Sequence, residues 1–160
     1  MSGILEELAA TLESDEPTVA RLLDTTAASI AASLAAVPER DVAWPGFGTW
    51  KLEAESRRVR GEPPAVLFTA HPALLALLAG KPIPELEPGL GEVALRVATL
   101  LGIARAEALD AVEALAAALS MSIAAAPGPV EVPGLGTFTR SKLGVGVRHV
   151  ASTAFRTRIR

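Results

Sequence analysis

Apolar residues recur at three- and four-residue spacing along two long stretches of the chain. Val19, Leu22, Leu23, Ala27, Ile30 and Leu34 form one stripe, and Ala108, Ala111, Val112, Ala116, Leu119 and Ile123 form another. That spacing gathers side chains on one helical face, so each stretch predicts an amphipathic helix. A shorter stripe precedes each: Ile4, Leu8 and Leu12 predict a helix from about Ile4 to Leu12, and Val93, Val97 and Leu101 predict its equivalent. Asp15 and Glu16 before Pro17 suit the start of the first long helix. Pro38 stops it, and Pro127, Gly128 and Pro129 stop the second. Beyond these stops the pattern shortens to strands. Each region predicts a short strand, a tight glycine turn, a second strand from Thr49 or Thr137, and a third from Val66 to Thr69 or from Val147 to Thr153. Pro63-Pro64 and Gly144-Val145-Gly146 mark the intervening turns. A closing helix from Pro72 to about Ala79 is expected in the first region only.

The two regions are copies of one another. Pro45-Gly46-Phe47-Gly48-Thr49-Trp50 recurs as Pro133-Gly134-Leu135-Gly136-Thr137-Phe138, and Val42-Ala43-Trp44 matches Val130-Glu131-Val132. Amphipathic helices alone match by chance, but a hexapeptide repeated at the same place after two helix pairs does not. The chain therefore divides into repeat 1 at residues 1–79, a Pro/Gly-rich linker at 80–91 and repeat 2 at 92–160, the last without a closing helix. Stretched out, the linker reaches on the order of 40 Å, enough to cross a small domain. The fold class is α+β.

Composition narrows the chemistry. Hydrophobic residues are 50% of the 160 and aromatics 4%, so a sizeable core is expected, packed largely through small side chains. There is no cysteine, which removes disulfides and thiolate metal sites. Met1-Ser2-Gly3-Ile4 does not read as a secretory signal, and no uninterrupted apolar run is long enough to span a bilayer. A cytoplasmic protein is expected. The net charge of −3 hides a segregation. The first forty residues carry Glu6, Glu7, Glu13, Asp15, Glu16, Asp24 and Glu39 against Arg21 and Arg40. From Pro133 onward there are six basic residues and no acidic one.

Two helices, three strands with Gly46-Phe47-Gly48-Thr49-Trp50 in the first turn, and then a closing helix resemble the HU/integration host factor family. The second copy of the motif is Gly134-Leu135-Gly136-Thr137-Phe138, and Phe68 followed by Leu74 and Leu77 is similar to the family's last strand and closing helix. The resemblance covers nearly the whole chain. It implies an intertwined dimer whose helices form a base, whose sheets form a saddle and whose β-arms wrap DNA through the minor groove. Fusion of two copies implies an intramolecular pseudo-dimer, monomeric as a chain. The copies would meet through Val19, Leu23, Ile30 and Leu34 and through Val112, Leu119 and Ile123, because neither copy holds enough core alone. The chain departs from the family at the arms. Sixteen or seventeen residues separate Trp50 from Phe68 and Phe138 from Phe155, fewer than the family's arms contain. The Arg-Asn-Pro tip is absent, although Arg60-Gly61-Glu62-Pro63-Pro64 echoes it.

The resemblance and the charge pattern nominate Lys51, Arg57, Arg58, Arg60, Arg140, Lys142, Arg148, Arg156 and Arg158 as DNA-backbone contacts, with His149 beside them. Each also reads as a solvated strand face or tail. Arg156, Arg158 and Arg160 alternate, which places them on one face of a continued strand. Trp44 and Trp50 read as core rather than base-stacking platforms, and Gly46-x-Gly48 as turn geometry rather than a phosphate loop. His71 and His149 lack partners at metal-ligand spacing, and Ser, His and Asp occur without a nucleophile elbow. The expectation is a non-enzymatic, nucleoid-associated protein without cofactor or metal, whose partner is double-stranded DNA. The other expectation is a protein-interaction module that keeps the fold and has lost DNA binding. A missing closing helix would also leave apolar surface near Phe138 and Phe155 open to a protein partner.

Overall fold

The structure, a computed structural model, describes residues 3–36, 41–52, 66–82, 92–140 and 146–159. Its elements follow the same order twice. The first half runs α1 (Ile4–Thr11), α2 (Glu16–Ala36), β1 (Val42–Trp44), β2 (Gly48–Leu52), β3 (Val66–Ala70) and α3 (Pro72–Leu78). The second runs α4 (Glu92–Leu101), α5 (Arg105–Ala125), β4 (Val130–Val132), β5 (Gly136–Arg140), β6 (Val147–Ala151) and α6 (Thr153–Ile159). The fold is α+β, with two separate three-stranded antiparallel sheets ordered β1-β2-β3 and β4-β5-β6.

Local chemistry explains most boundaries. Asp15 caps α2, its Oδ1 accepting from the Thr18 backbone N–H at 2.8 Å. The turns after β1 and β4 carry Pro then Gly in the middle, and Gly46 and Gly134 both have φ of 83°. Phe47 N–H donates to the Trp44 carbonyl at 3.0 Å, and Leu135 N–H to that of Val132 at 3.1 Å. Proline with φ preset, then a residue at positive φ, makes a type II turn that favours glycine at the second position.

α6 corrects the expectation that repeat 2 ends without a closing helix. The spacing that governs this segment is Phe155 to Ile159, both buried and one helical turn apart, rather than the alternation of the arginines. Ser152 starts the helix, with Oγ accepting from Phe155 N–H at 3.2 Å. β6 accordingly stops at Ala151, short of Thr153. The expected open flank is absent as well, since Phe138 and Phe155 are both fully buried.

The halves interlock. α2 packs against α1 of its own half and against α4 and α6 of the other, while α5 packs against α4 and also against α1 and α3. Each closing helix therefore lies on the other half's long helix. One core results, with Val19, Leu23, Ile30 and Leu34 from α2 and Val112, Leu119 and Ile123 from α5 all buried in it. At 21 residues each, α2 and α5 are also long and apolar enough to cross a membrane. Reading only uninterrupted runs misses this, because Thr25, Thr26, Ser29 and Ser33 break up α2. Thr26 and Ser29 satisfy their hydroxyls on the Leu22 and Thr25 carbonyls one turn back.

Side-chain hydrogen bonds cross between halves. Trp44 on β1 donates its indole N–H to the Val112 carbonyl of α5 at 2.9 Å, wholly buried. Trp50 on β2 donates to Nδ1 of His149 on β6 at 3.3 Å. Around them Phe47, Phe68, Phe138 and Phe155 complete a continuous ring cluster that joins the sheets.

Candidate nucleic-acid interface

Strand alternation divides the two sheets into an inner face of rings and an outer face. On the first sheet Trp50 pairs with Phe68 across β2 and β3, so Thr49, Lys51, Leu67 and Thr69 face out. On the second, Phe138 pairs with His149, so Thr137, Thr139, Arg148 and Val150 face out. β3 and β6 lie next to each other without pairing, which joins the two outer faces into one surface. Lys51 and Arg148 supply its positive charge, and β2, β3, β5 and β6 contain no acidic residue. Leu67 and Val150, each 54% exposed, place apolar area among these cations. Most acidic residues sit on the helices, including Glu6, Glu7, Asp24, Glu107, Asp110 and Glu113, while Glu131 on β4, opposite Thr137, puts one carboxylate at the edge of the outer surface. The charge segregation seen in the chain thus separates the helix base from the four strands β2, β3, β5 and β6, with Glu131 at the edge of the second sheet.

The nine nominated cations do not form one group. Lys51 and Arg148 occupy the outer surface. Arg140 shares the parity of Phe138 and turns to the opposite side, its Nη2 donating to the Ala126 carbonyl at 3.2 Å just past the end of α5. A cation there satisfies a terminal carbonyl and opposes the negative end of the helix dipole. Arg156 and Arg158 lie on α6 rather than on a strand. Arg158 reaches across to α2, donating through Nη2 to Asp24 Oδ1 at 2.7 Å and through Nη1 to the Asp24 carbonyl at 3.3 Å. Arg57, Arg58, Arg60 and Lys142 lie outside the described residues.

His149 is a second correction. It stands beside the cations in sequence but points inward, where it occupies the position that Phe68 holds in the first half. Its ring stacks on Phe138 at 4.6 Å between centroids and meets Trp50, Phe68 and Phe155 edge to face. Nε2 lies 2.9 Å from the Leu135 carbonyl. Since that carbonyl only accepts and Trp50 only donates, both bonds are made by one neutral tautomer, with hydrogen on Nε2 and a free lone pair on Nδ1. Burial pushes its pKa below the usual histidine value, while the Leu135 carbonyl pulls weakly the other way. The register also resets the arm lengths. Phe138 is matched across its hairpin by His149, not Phe155, so the β5–β6 connection has six residues where the β2–β3 connection has thirteen. Alternation in Val147-Arg148-His149-Val150-Ala151 was the signal that placed His149 and Arg148 on opposite faces.

Among the described residues no three His, Asp or Glu side chains come together as a metal site. Comparison of the chain with protein-family models, curated proteins and solved structures gives no match.

Proposed function

We propose that this chain is a non-enzymatic, HU-like DNA-binding protein in which two fused repeats form a single-chain pseudo-dimer. Duplex DNA lies across the joined outer faces of the two sheets, held through its backbone by Lys51 and Arg148 and by Arg57, Arg58, Arg60 and Lys142 in the connections that follow β2 and β5. The supporting observation is that β2, β3, β5 and β6 carry no acidic residue on the outer surface, where Glu131 on the edge strand β4 is the one strand carboxylate among the described residues, above a helical base with more acidic than basic residues. Contacts of this kind position a duplex without reading its bases, so binding tolerates sequence. Connections of thirteen and six residues are too short to wrap a duplex, so bending is small. Arg158, engaged with Asp24, and Arg140, engaged with Ala126, contribute to the fold rather than to the ligand.

Exposed Leu67 and Val150 on the same surface favour a second reading, an HU-fold module that docks a protein. A duplex titration across salt separates the two. DNA binding predicts affinity that falls steeply with salt, and a Lys51→Glu/Arg148→Glu variant that binds every sequence more weakly. Its log–log salt slope should be shallower by about 2, since each lost phosphate contact removes about 0.9. No binding at low salt, or an unaltered slope in the variant, transfers the assignment to the protein-docking reading.

A further inference from the structure

His149 bridges the halves through a pair of bonds that only its neutral form can make. Nδ1 accepts from the Trp50 indole N–H of the other half, and Nε2 is bound to the Leu135 carbonyl of its own. We propose that this imidazole makes the junction between the two sheets acid-labile: a proton taken up from solvent at Nδ1 breaks the Trp50–His149 bond and loosens β6 from β2 and β3. The protonated ring would set an N–H against the Trp50 N–H, two donors with no acceptor between them. It would also place a positive charge among the rings of Trp50, Phe68, Phe138 and Phe155.

No carboxylate stands on the elements packed around it. β2 supplies Lys51, on the outer face, and β3 supplies no ionisable group. His71, which follows β3, uses its Nδ1 to accept from Ala73 N–H at the start of α3. β5 supplies Arg140, turned toward Ala126, and β6 supplies Arg148, on the outer face. α6 supplies Arg156 and Arg158, the latter paired with Asp24. Every charged group on these elements is a cation, so none of them offers an imidazolium a partner. Attraction of an imidazolium to the one stacked ring face, Phe138, acts the other way. It replaces neither the lost acceptor nor the hydration that burial removes. The direction of the pKa agrees, lowered by burial. For a histidine held neutral in the fold, stability is fully present above the unfolded-state value of about 6.5. It is lost as pH falls below that value, because the unfolded chain takes up the proton first.

The test uses the full chain, with thermal unfolding followed from about pH 7.5 to about pH 5 and the Trp50 indole N–H resonance recorded over the same range. His149→Phe installs the residue that the first half carries at this position. His71→Ser installs the counterpart of Ser152 and removes the other titrating ring. In the His71→Ser background, acidification should still lower Tm, and the indole resonance should shift along the same curve. Adding His149→Phe should abolish most of that fall. An unchanged pH dependence after His149→Phe, or an indole resonance that stays fixed while Tm drops, overturns the proposal. Should His149→Phe fail to fold, Trp50→Phe removes the opposing donor, together with part of a buried ring, and keeps His149 in place. The His149 titration midpoint should then move to higher pH, and a midpoint at or below that of the parent overturns the proposal. None of these readouts involves DNA, so the outcome is independent of the ligand.

Discussion

The two halves share an order of elements but not the side chains at their junction. Trp44, Phe47, Trp50 and Phe68 in the first half stand where the second has Val132, Leu135, Phe138 and His149, and the sense reverses at Leu74 against Phe155. Large residues on one side thus meet smaller ones on the other, and all but Phe68 and His149 are essentially excluded from solvent. In a dimer of identical chains each residue near the two-fold axis must tolerate its own copy. Two unlike halves within one chain are free of that requirement. The junction can then be filled by unlike residues of suitable summed volume, and a donor such as Trp50 can face an acceptor such as His149. Two copies of the first half would set Trp50 against Phe68, with no acceptor for its indole N–H, and two of the second would leave His149 without its indole donor.

The largest expected effect breaks the likeness of the two glycine strands. Gly136 has φ of 133°, and a Cβ there would run into the Val150 carbonyl. Gly48, its counterpart, keeps an ordinary φ, and its Cβ would meet the Phe68 ring and the Thr69 carbonyl. Gly136→Ala combines backbone strain with overpacking and should cost about 4 kcal/mol. Gly48→Ala carries the steric part alone and should cost about 2 kcal/mol. Chemical denaturation of both variants checks the order, and equal losses would mean that the conformation of Gly136 does not matter.

A middle-sized effect concerns Trp44. Trp44→Phe removes the bond to the Val112 carbonyl together with part of a fully buried ring. It should cost about 2 kcal/mol, measured by the denaturation midpoint at constant m-value. Val132→Ala, at the matching position, loses only two methyl-sized groups and should cost less.

The smallest effect sharpens a difference between the long helices. α2 begins at the capping carboxylate of Asp15, whose pKa is lowered by its hydrogen bonds to Thr18. α5 begins at Ala104, which has no side-chain cap. Ala104→Asp should stabilise the fold by up to about 1 kcal/mol at neutral pH. Because a carboxylate bound in this way has a lowered pKa, the gain is present above the unfolded-state value of about 3.9 and disappears as pH falls through the folded value. Thermal melts at pH 7 and in acid read the difference directly.

Much of this arrangement was legible along the chain. Both helix pairs, the Pro-Gly turns, the first closing helix and all six strands fall close to where spacing and punctuation place them. The core faces of α2 and α5 were readable because a 3.6-residue period survives any choice of partner. Misreadings arose where two periods competed in a short segment. Arg156, Arg158 and Arg160 alternate like a strand, but burial of Phe155 and Ile159 on the other half's long helix outweighs that pattern. Among the site candidates, the outward placement of Lys51 and Arg148 was readable from alternation. Arg140 was not, since its use depends on the end of α5 lying beside β5.

The sequence by itself determined the repeat, the local elements, the turns that only glycine relieves and the face each element buries. These depend on residues within a turn or two of one another. Tertiary structure alone decided that each closing helix covers the other half, that Arg158 meets Asp24 across 134 positions of chain, and that His149 replaces a phenylalanine against Trp50. An apolar stripe specifies that a face is buried but not what buries it, because hydrophobic attraction has no direction. The partner is fixed by shape and by the few buried donors and acceptors that must be matched, and those become visible only when distant segments are brought together.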